Sequence, residues 1–233
     1  MESALMSAAA VKFKLPKPRA VLFDWDDTVV NNWNIGVDAI NATLMHMGME
    51  PWSEAEIRRR SGQSARDAFV ILFGEERWQE ADKVYYKTFL KLCKERGVKL
   101  VDGIEDVLAA LARAGVYMGV VSNKRGDLLR EDVARAGFTG YFSGIVGAGD
   151  AAADKPDAAP VMLALEGSGI APAADVWFVG DSHTDMMCAH RTGCSGILIE
   201  TKPPPEDLLL KNQPARRFAT HGHFMEFIEE YFH

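Results

Sequence analysis

The sequence predicts an α/β protein with a doubly wound, mostly parallel β-sheet and an inserted all-helical cap. Short, nearly all-apolar runs alternate with amphipathic stretches in the second half of the chain. This alternation is typical of buried parallel strands that are joined by helices. Between the first apolar run and the others, a long block carries only helical patterns. Together these observations favour an open sheet with helices on both faces and one helical insertion.

The predicted strands are short and apolar. The first covers residues 20–23, where four apolar residues stand directly before a group of carboxylates. The later strands are predicted at 116–122, 143–146, 175–181 and 196–200, with an edge strand at 217–220. Apolar residues recur at helical spacing over 104–111, and a final helix is predicted at 223–232.

The helical block predicts a separate cap domain. Ser53 and Glu56 have the spacing of a capping box, which marks the start of one helix. The predicted cap helices are 34–47, 53–60, 64–73 and 75–96. We therefore expect a cap at 32–100, a core at 1–31 and 101–233, and linkers near 30–33 and 97–103.

Composition limits the classes of partner. Of the 233 residues, 48% are hydrophobic, and the net charge of −7 without a long basic run argues against nucleic acid or an anionic membrane surface. No apolar stretch reaches the ~18 residues that a membrane span needs, and the first residues lack the features of a secretory signal. Three scattered cysteines argue against a disulfide framework. We expect a reduced, cytoplasmic protein, and its oligomeric state is left open.

Polar residues follow each predicted strand. Because parallel strands end at the same edge of a sheet, these side chains are expected to converge there. Carboxylates, a hydroxyl group and a lysine together suit a divalent metal ion and a phosphate group. In chain order the residues are Asp24, Asp26, Thr28, Ser122, Asn123, Lys124, Lys155, Asp181 and Asp185.

This ordered set resembles the four motifs of the haloacid dehalogenase (HAD) superfamily, from about residue 19 onward. The helical insertion is similar to the cap of the phosphoglycolate phosphatase-like branch. The stretches KPDAAPVMLAL and VGDSHTDMMCAHRTG also resemble that branch. The resemblance implies an Mg²⁺-dependent hydrolase that acts on phosphomonoesters of small phosphorylated metabolites, with phosphoglycolate as the leading candidate substrate.

The resemblance also implies a role for each residue. Asp24 would be a metal ligand and the nucleophile that forms an aspartyl-phosphate. Asp26 would bind the metal through its backbone carbonyl and act as general acid and base. Asp181 would complete the protein ligands of the Mg²⁺, and Asp185 would support the site from behind. Thr28, Ser122, Asn123 and Lys155 would bind the phosphate, with Lys155 also offsetting the negative charge.

Three further residues are candidate substrate contacts. Lys124 follows the Ser-Asn pair directly, and Gln63 and Arg66 lie in a cap segment that would reach over the site. An ion pair of Arg66 on the surface remains an equal interpretation. Asp27 stands where the family often has glycine; an exposed side chain is acceptable there if φ is negative, so we expect a small effect.

Other functions remain open. A receiver-like signalling module also groups aspartates, a hydroxyl group and a lysine around Mg²⁺ on a doubly wound sheet, and it is phosphorylated without turnover. Within the superfamily, a sugar-phosphate phosphatase or a phosphomutase is the alternative.

Overall fold

The computed structural model describes residues 14–232, so the expectations for the leader at 1–13 lie outside the described residues. The strands are β1 (Ala20–Phe23), β2 (Val30–Asn31), β3 (Lys99–Leu100), β4 (Tyr117–Arg125), β5 (Gly144–Ala148), β6 (Val176–Gly180), β7 (Ser195–Ile199) and β8 (Arg216–Phe218). Within the described residues, six of them form one sheet in the order β5-β4-β1-β6-β7-β8. Every neighbouring pair in this sheet is parallel.

The first strand lies at the centre of the sheet. Phe23 at the end of β1 pairs with Val120 of β4 on one side and Val179 of β6 on the other. All residues of β1, β6 and β7 are buried, which explains why their sequences are apolar without alternation. The predicted doubly wound sheet is confirmed, and its central strand carries the aspartate cluster.

The inserted cap consists of α1 (Trp33–His46), α2 (Glu54–Arg60), α3 (Ala65–Phe73) and α4 (Trp78–Arg96). The predicted helices differ from these bounds by at most three residues. Ser53 and Glu56 form the predicted capping box, since each side chain bonds the other's backbone N–H. Buried Phe69 and Ala81 bring α3 and α4 together, and Ala39 and Phe89 do the same for α1 and α4.

Helices cover both faces of the sheet. They are α5 (Ile104–Arg113), α6 (Gly126–Arg135), α7 (Ala159–Ala164), α8 (His183–Thr192), α9 (Glu206–Leu209) and α10 (His221–Phe232). On one face, Leu108, Leu129 and Phe224 pack with Phe23 in the largest apolar cluster. The helices α7 and α8 cover the opposite face. None of the described helices combines the length and apolar composition that a membrane crossing requires.

The two chain segments that join cap and core are paired with each other. Val30 of β2 lies opposite Leu100 of β3 in a short antiparallel pair, which the sequence did not predict. Two residues are too few to show an alternating pattern. Next to this pair, buried His221 donates a hydrogen bond from Nε2 to the carbonyl oxygen of Thr28 at 2.7 Å. A residue of the core thus stabilises the chain next to the point where the cap begins.

Strand β4 is longer than predicted. It was expected to end at residue 122, but it continues to Arg125, which pairs with Ala148 of β5 after an irregularity in the register. The polar residues Ser122 and Lys124 are therefore inside the strand and buried. A hydropathy pattern predicts the end of a strand at such polar residues. It contains no information on the distant carboxylates that surround Lys124 in the fold.

Candidate active site

Asp24 lies at the floor of the candidate site. It follows β1 directly, and its backbone N–H donates to the carbonyl oxygen of Val179 at 2.8 Å. Its carboxylate accepts a hydrogen bond from Lys155 Nζ at 2.8 Å, and the same Nζ donates to Asp185 at 2.7 Å. Carboxylate oxygens of Asp24, Asp181 and Asp185 all lie within 4.8 Å of one another. The strand ends therefore converge as predicted.

The site holds more negative charge than its lysine offsets. Burial raises the pKa of Asp24 to about 7, although Lys155 acts in the opposite direction. Burial also raises the pKa of Asp181, with further contributions from Asp27 and Asp185. Burial alone would lower the pKa of Lys155, but Asp185 and Asp24 reverse this effect and raise it. A group of oxygen ligands with excess negative charge fits a hard divalent cation.

Asp185 supports the site from behind. Its side chain is fully buried, and one carboxylate oxygen accepts hydrogen bonds from Ser182 N at 3.0 Å and Ser182 Oγ at 2.6 Å. The other oxygen bonds Lys155. Asp185 N donates in return to Ser182 Oγ at 3.3 Å, which completes a capping box at the start of α8. Because both oxygens of Asp185 are engaged, Asp24 and Asp181 are the better candidates for metal ligands.

Thr28 differs from the expectation. Its side chain is fully buried, and its hydroxyl donates to Asp181 Oδ1 at 3.3 Å. It does not line the cavity above Asp24. The hydroxyl of Thr28 thus orients Asp181, and its expected contact with phosphate stays a prediction. The need for a hydroxyl group at position 28 follows from this hydrogen bond to Asp181, which lies at the end of β6.

Asp26 faces the cavity and is held by a buried lysine. Its side chain is 32% exposed, and Oδ1 accepts a hydrogen bond from Lys124 Nζ at 3.0 Å. The same oxygen accepts from the side chain of Asn32. Lys124 also forms an ion pair with Asp132, so two carboxylates surround its charge. Lys124 lines the cavity, and its observed partners are these carboxylates.

The side chain of Asn123 has a role that sequence analysis missed. Its oxygen accepts from Lys155 N at 2.9 Å, and its Nδ2 donates to Lys155 O at 2.9 Å. Nδ2 also donates to Gly62 O of the cap at 2.6 Å. The sequence pattern indicated only a phosphate contact for this residue. Ser122, the preceding residue, is buried and lines the cavity.

The cap segment before α3 reaches over the site, as expected. It covers a cavity of about 410 Å³ between cap and core, and Gln63 lines this cavity. Arg66 does not line it. The guanidinium of Arg66 lies over the ring of Trp78 at 5.6 Å, and Arg66 is exposed. The substrate contact of Arg66 stays a prediction.

Asp27 does not meet the condition of a negative φ on which the expected small effect rests. Its φ is +60°, the left-handed region, and its side chain is only 13% exposed. Its Oδ1 accepts hydrogen bonds from Trp33 N at 2.8 Å and Asn32 N at 3.3 Å at the start of α1. Burial raises the pKa of Asp27 to about 6, while nearby Lys202 opposes this shift. Aspartate is among the few non-glycine residues that adopt this conformation readily.

Comparison with known proteins identifies the family. The profile described as "Haloacid dehalogenase-like hydrolase" matches residues 21–199, which is more than half of the chain. The chain belongs to the haloacid dehalogenase-like hydrolases. A phosphoglycolate phosphatase from Yersinia pestis is 32% identical over 199 residues, covering 80% of this chain and 82% of the relative.

Two further comparisons extend this result. A relative from Clostridium perfringens, named "Putative pyrophosphatase PpaX", is 28% identical over 197 residues, covering 84% of this chain and 90% of the relative. A solved haloacid dehalogenase-like hydrolase from Streptococcus pneumoniae has a TM-score of 0.74 and 22% identity, covering 89% of this chain and 97% of that one. At this identity the structure supports the fold alone.

In this HAD-like hydrolase, the predicted site residues divide into two groups. Thr28 and Asp185 are fully buried beside the cavity and bond other site residues. The predicted core residues that line the cavity are Asp24, Asp26, Ser122, Asn123, Lys124, Lys155 and Asp181. The predicted motif residues thus lie together at one end of the cavity.

Proposed function

We propose that this HAD-like hydrolase is an Mg²⁺-dependent phosphomonoester hydrolase that forms an aspartyl-phosphate on Asp24. One observation carries the proposal: the carboxylate of Asp24 lies at the floor of a cavity, 2.8 Å from a buried lysine and within 4.8 Å of the Asp181 carboxylate. This arrangement offers a nucleophile beside positive charge, which an attack on a phosphate dianion requires.

The proposed metal ligands are the carboxylates of Asp24 and Asp181 and the backbone carbonyl of Asp26. When bound, Mg²⁺ would supply the positive charge that reduces repulsion between Asp24 and the phosphate dianion. The oxygen-only ligand set and the raised pKa values of Asp24 and Asp181 support this assignment.

The proposed reaction has two steps. In the first, an Asp24 oxygen attacks phosphorus, the bond from phosphorus to the ester oxygen breaks, and Asp26 gives its proton to the leaving alkoxide. In the second, water attacks the same phosphorus, the bond to Asp24 breaks, and Asp26 takes the proton from water. Inorganic phosphate and the free Asp24 carboxylate result. The exposure of Asp26 toward the cavity supports its role in both transfers.

Two neighbouring groups are proposed to bind the phosphoryl oxygens. The Ser122 hydroxyl and the Asn123 backbone N–H lie on β4, next to β1 and Asp24. Lys155 would remain charged and would offset the negative charge of the phosphoryl group during its transfer. The receiver-like alternative is not proposed, because the candidate nucleophile lies beneath an inserted cap.

The relatives provide two candidate substrates. Phosphoglycolate comes from the name of the Yersinia relative, and pyrophosphate comes from the name of the Clostridium relative. Both belong in the first panel of phosphate compounds, together with small sugar phosphates.

Phosphate release with and without Mg²⁺ tests the proposal. We expect Mg²⁺-dependent release that is lost in Asp24→Asn and is unchanged in Asp106→Asn, a matched change at an exposed position of α5. Equal release by Asp24→Asn would exclude Asp24 as the nucleophile. Phosphate that stays on Asp24 during the assay, is released by acid and is not turned over would favour a receiver-like module instead.

A further inference from the structure

The cavity above Asp24 extends well beyond the catalytic carboxylates. Its volume of about 410 Å³ lies in the range of ~300–1,000 Å³ that is typical of pockets for small molecules. The carboxylates occupy the core end, and helices of the cap enclose the rest. A phosphomonoester with its phosphate near Asp24 would therefore place its alcohol portion against the cap.

The cap wall of this cavity is apolar. Three helices each contribute a pair of apolar or aromatic residues spaced three or four positions apart, which places both members on one helix face. The rings of Phe69 and Phe89 lie 5.7 Å and 5.9 Å from the ring of Tyr85, so the pairs join into one surface. The pairs are Val37 and Ile40 on α1, Phe69 and Leu72 on α3, and Tyr85 and Phe89 on α4. We call these six residues the apolar wall.

Among the described residues, four cations line the cavity, and none of them belongs to the apolar wall. Both lysines bond the catalytic carboxylates, as described above. Two arginines at the end of α2 also line the cavity. Arg59 donates to both oxygens of Asp207 at 3.2 Å and 2.9 Å, and the Arg60 guanidinium lies over the Trp52 ring at 4.5 Å.

The apolar character of this wall determines which alcohol groups bind favourably there. A carboxylate on the alcohol would lose its water against the apolar wall, whose six residues include no cation, and such a loss is costly. A hydrocarbon group would instead remove apolar surface from water on both sides of the contact. Burial raises the pKa of Tyr85 well above its usual value, so the phenol in the wall stays neutral and adds no charge.

We propose that the cap selects phosphomonoesters of apolar alcohols about the size of a butyl or benzyl group, and disfavours alcohols that carry a carboxylate. This inference rests on the phosphomonoester hydrolase activity proposed above and names its substrate class. It separates this chain from the substrate that the name of its Yersinia relative suggests.

A series of simple esters tests the proposal. We would measure kcat/KM with saturating Mg²⁺ for ethyl, butyl, isobutyl and benzyl phosphate and for phosphoglycolate. Each added methylene should raise kcat/KM by about threefold to fourfold, so butyl phosphate should exceed ethyl phosphate by about tenfold. Isobutyl phosphate has the branched shape of phosphoglycolate without the charge of its carboxylate. It should exceed phosphoglycolate by about tenfold or more.

Variants locate the preference in the cap. Ile71 lies at the mouth of the cavity with 73% of its surface exposed, so Ile71→Gln should fold normally. Val37→Gln places an amide inside the apolar wall. Both changes should lower the ratio of kcat/KM for butyl over ethyl phosphate. Met45→Gln is the matched control, because Met45 is 58% exposed on α1 and does not line the cavity. It should leave the ratio unchanged.

Binding of uncleavable phosphonates keeps the two proposals separable. With Mg²⁺, calorimetry should find butylphosphonate binding more tightly than ethylphosphonate, and ethylphosphonate more tightly than phosphonoacetate. This order, without release of phosphate from any ester, would support the apolar selection and reject the proposed hydrolase. Tighter binding of phosphonoacetate, or kcat/KM for phosphoglycolate equal to that for isobutyl phosphate, would overturn the selection and leave the hydrolase standing.

Discussion

At the scale of single residues, Asp27 shows how one side chain serves both the backbone and the site. Its left-handed φ of +60° turns the chain after Asp24 and Asp26, and its carboxylate accepts hydrogen bonds from the first backbone N–H groups of α1. The helix start at Asn32 has no side-chain cap of its own, so Asp27 provides this function from five residues upstream. A carboxylate there also interacts favourably with the helix dipole.

This role predicts different effects for two substitutions of Asp27. Asp27→Ala should lower the free energy of unfolding by about 1–2 kcal/mol, because it removes the cap and leaves a Cβ residue at positive φ. Asp27→Asn should cost less, since asparagine keeps an acceptor and adopts the same conformation. Urea denaturation followed by circular dichroism measures both values. Equal losses in the two variants would contradict this role.

The proposed chemistry predicts that Asp26→Asn separates turnover from metal binding. The variant loses the proton carrier, so kcat should fall by about 10²–10⁴. The amide still accepts a hydrogen bond from Lys124, and the proposed metal ligand at this residue is the backbone carbonyl. The Mg²⁺ concentration for half-maximal thermal stabilisation should therefore change little. A variant that needs more Mg²⁺ but turns over normally once saturated would refute both assignments.

At the scale of elements, the cap segment before α3 docks directly on the core. The carbonyl oxygen of Gly62 accepts from Asn123 of β4, and the Gly62 Cα faces Thr184 of α8. A Cβ built at Gly62 would lie 2.4 Å from Thr184 Oγ1. The contact thus requires glycine for its close approach as well as for its φ of +94°. It joins the cap to the same asparagine that fixes the Lys155 backbone.

This contact predicts that Gly62→Ala weakens closure of the cap. We expect KM to rise and kcat to fall by several-fold, because the new Cβ pushes the segment away from the site. Gly48→Ala is the matched control: its φ of +82° imposes similar backbone strain, but nothing lies within 4 Å of the added Cβ. It should lower stability by about 1 kcal/mol and leave both kinetic constants close to wild type. Identical kinetic losses in both variants would reduce the Gly62 effect to backbone strain.

At the scale of the whole molecule, folding gathers carboxylates from distant strand ends into one buried group. Burial disfavours the charged form of these carboxylates, and it raises the pKa of Asp24 to about 7 and that of Asp27 to about 6. A carboxyl group whose pKa is higher in the folded than in the unfolded protein binds its proton more tightly in the folded state. Its contribution to stability is fully present below the unfolded pKa, near 3.8. That contribution is lost as the pH rises through about 6 to 7.

The charge balance therefore predicts a pH-dependent effect of Mg²⁺ on stability. Without metal, these groups should lower the melting temperature as the pH rises from 5.5 to 8. Mg²⁺ should raise the melting temperature more at pH 8 than at pH 5.5, because its ligands must be deprotonated. Differential scanning fluorimetry at both pH values, with Mg²⁺ or with EDTA, measures the shift. The difference should shrink in Asp24→Asn, and equal shifts at both pH values in the wild type would contradict the prediction.

Much of this architecture could be predicted from sequence because its signals are local. The apolar runs of the sheet, the helical periodicity of the cap and the Ser53–Glu56 capping box each lie within a few residues of one another. Asp24 and Asp181 were predicted to meet because parallel strands end at one edge, a rule that needs no side-chain coordinates. Length and periodicity therefore determined the order of elements and the edge that carries the site.

Only the tertiary structure decided which partner each polar group takes and what the cap presents to the site. The Thr28 hydroxyl bonds Asp181 across 153 positions, and the Asn123 amide bonds Gly62 across 61. The apolar wall likewise combines faces of three separate helices. A sequence pattern reports the face that a helix buries but not what lies opposite. By itself the sequence determined the fold and the sheet edge that carries the candidate site. Long-range packing determined the hydrogen-bond partners and the pocket, because these depend on distances that only the folded chain defines.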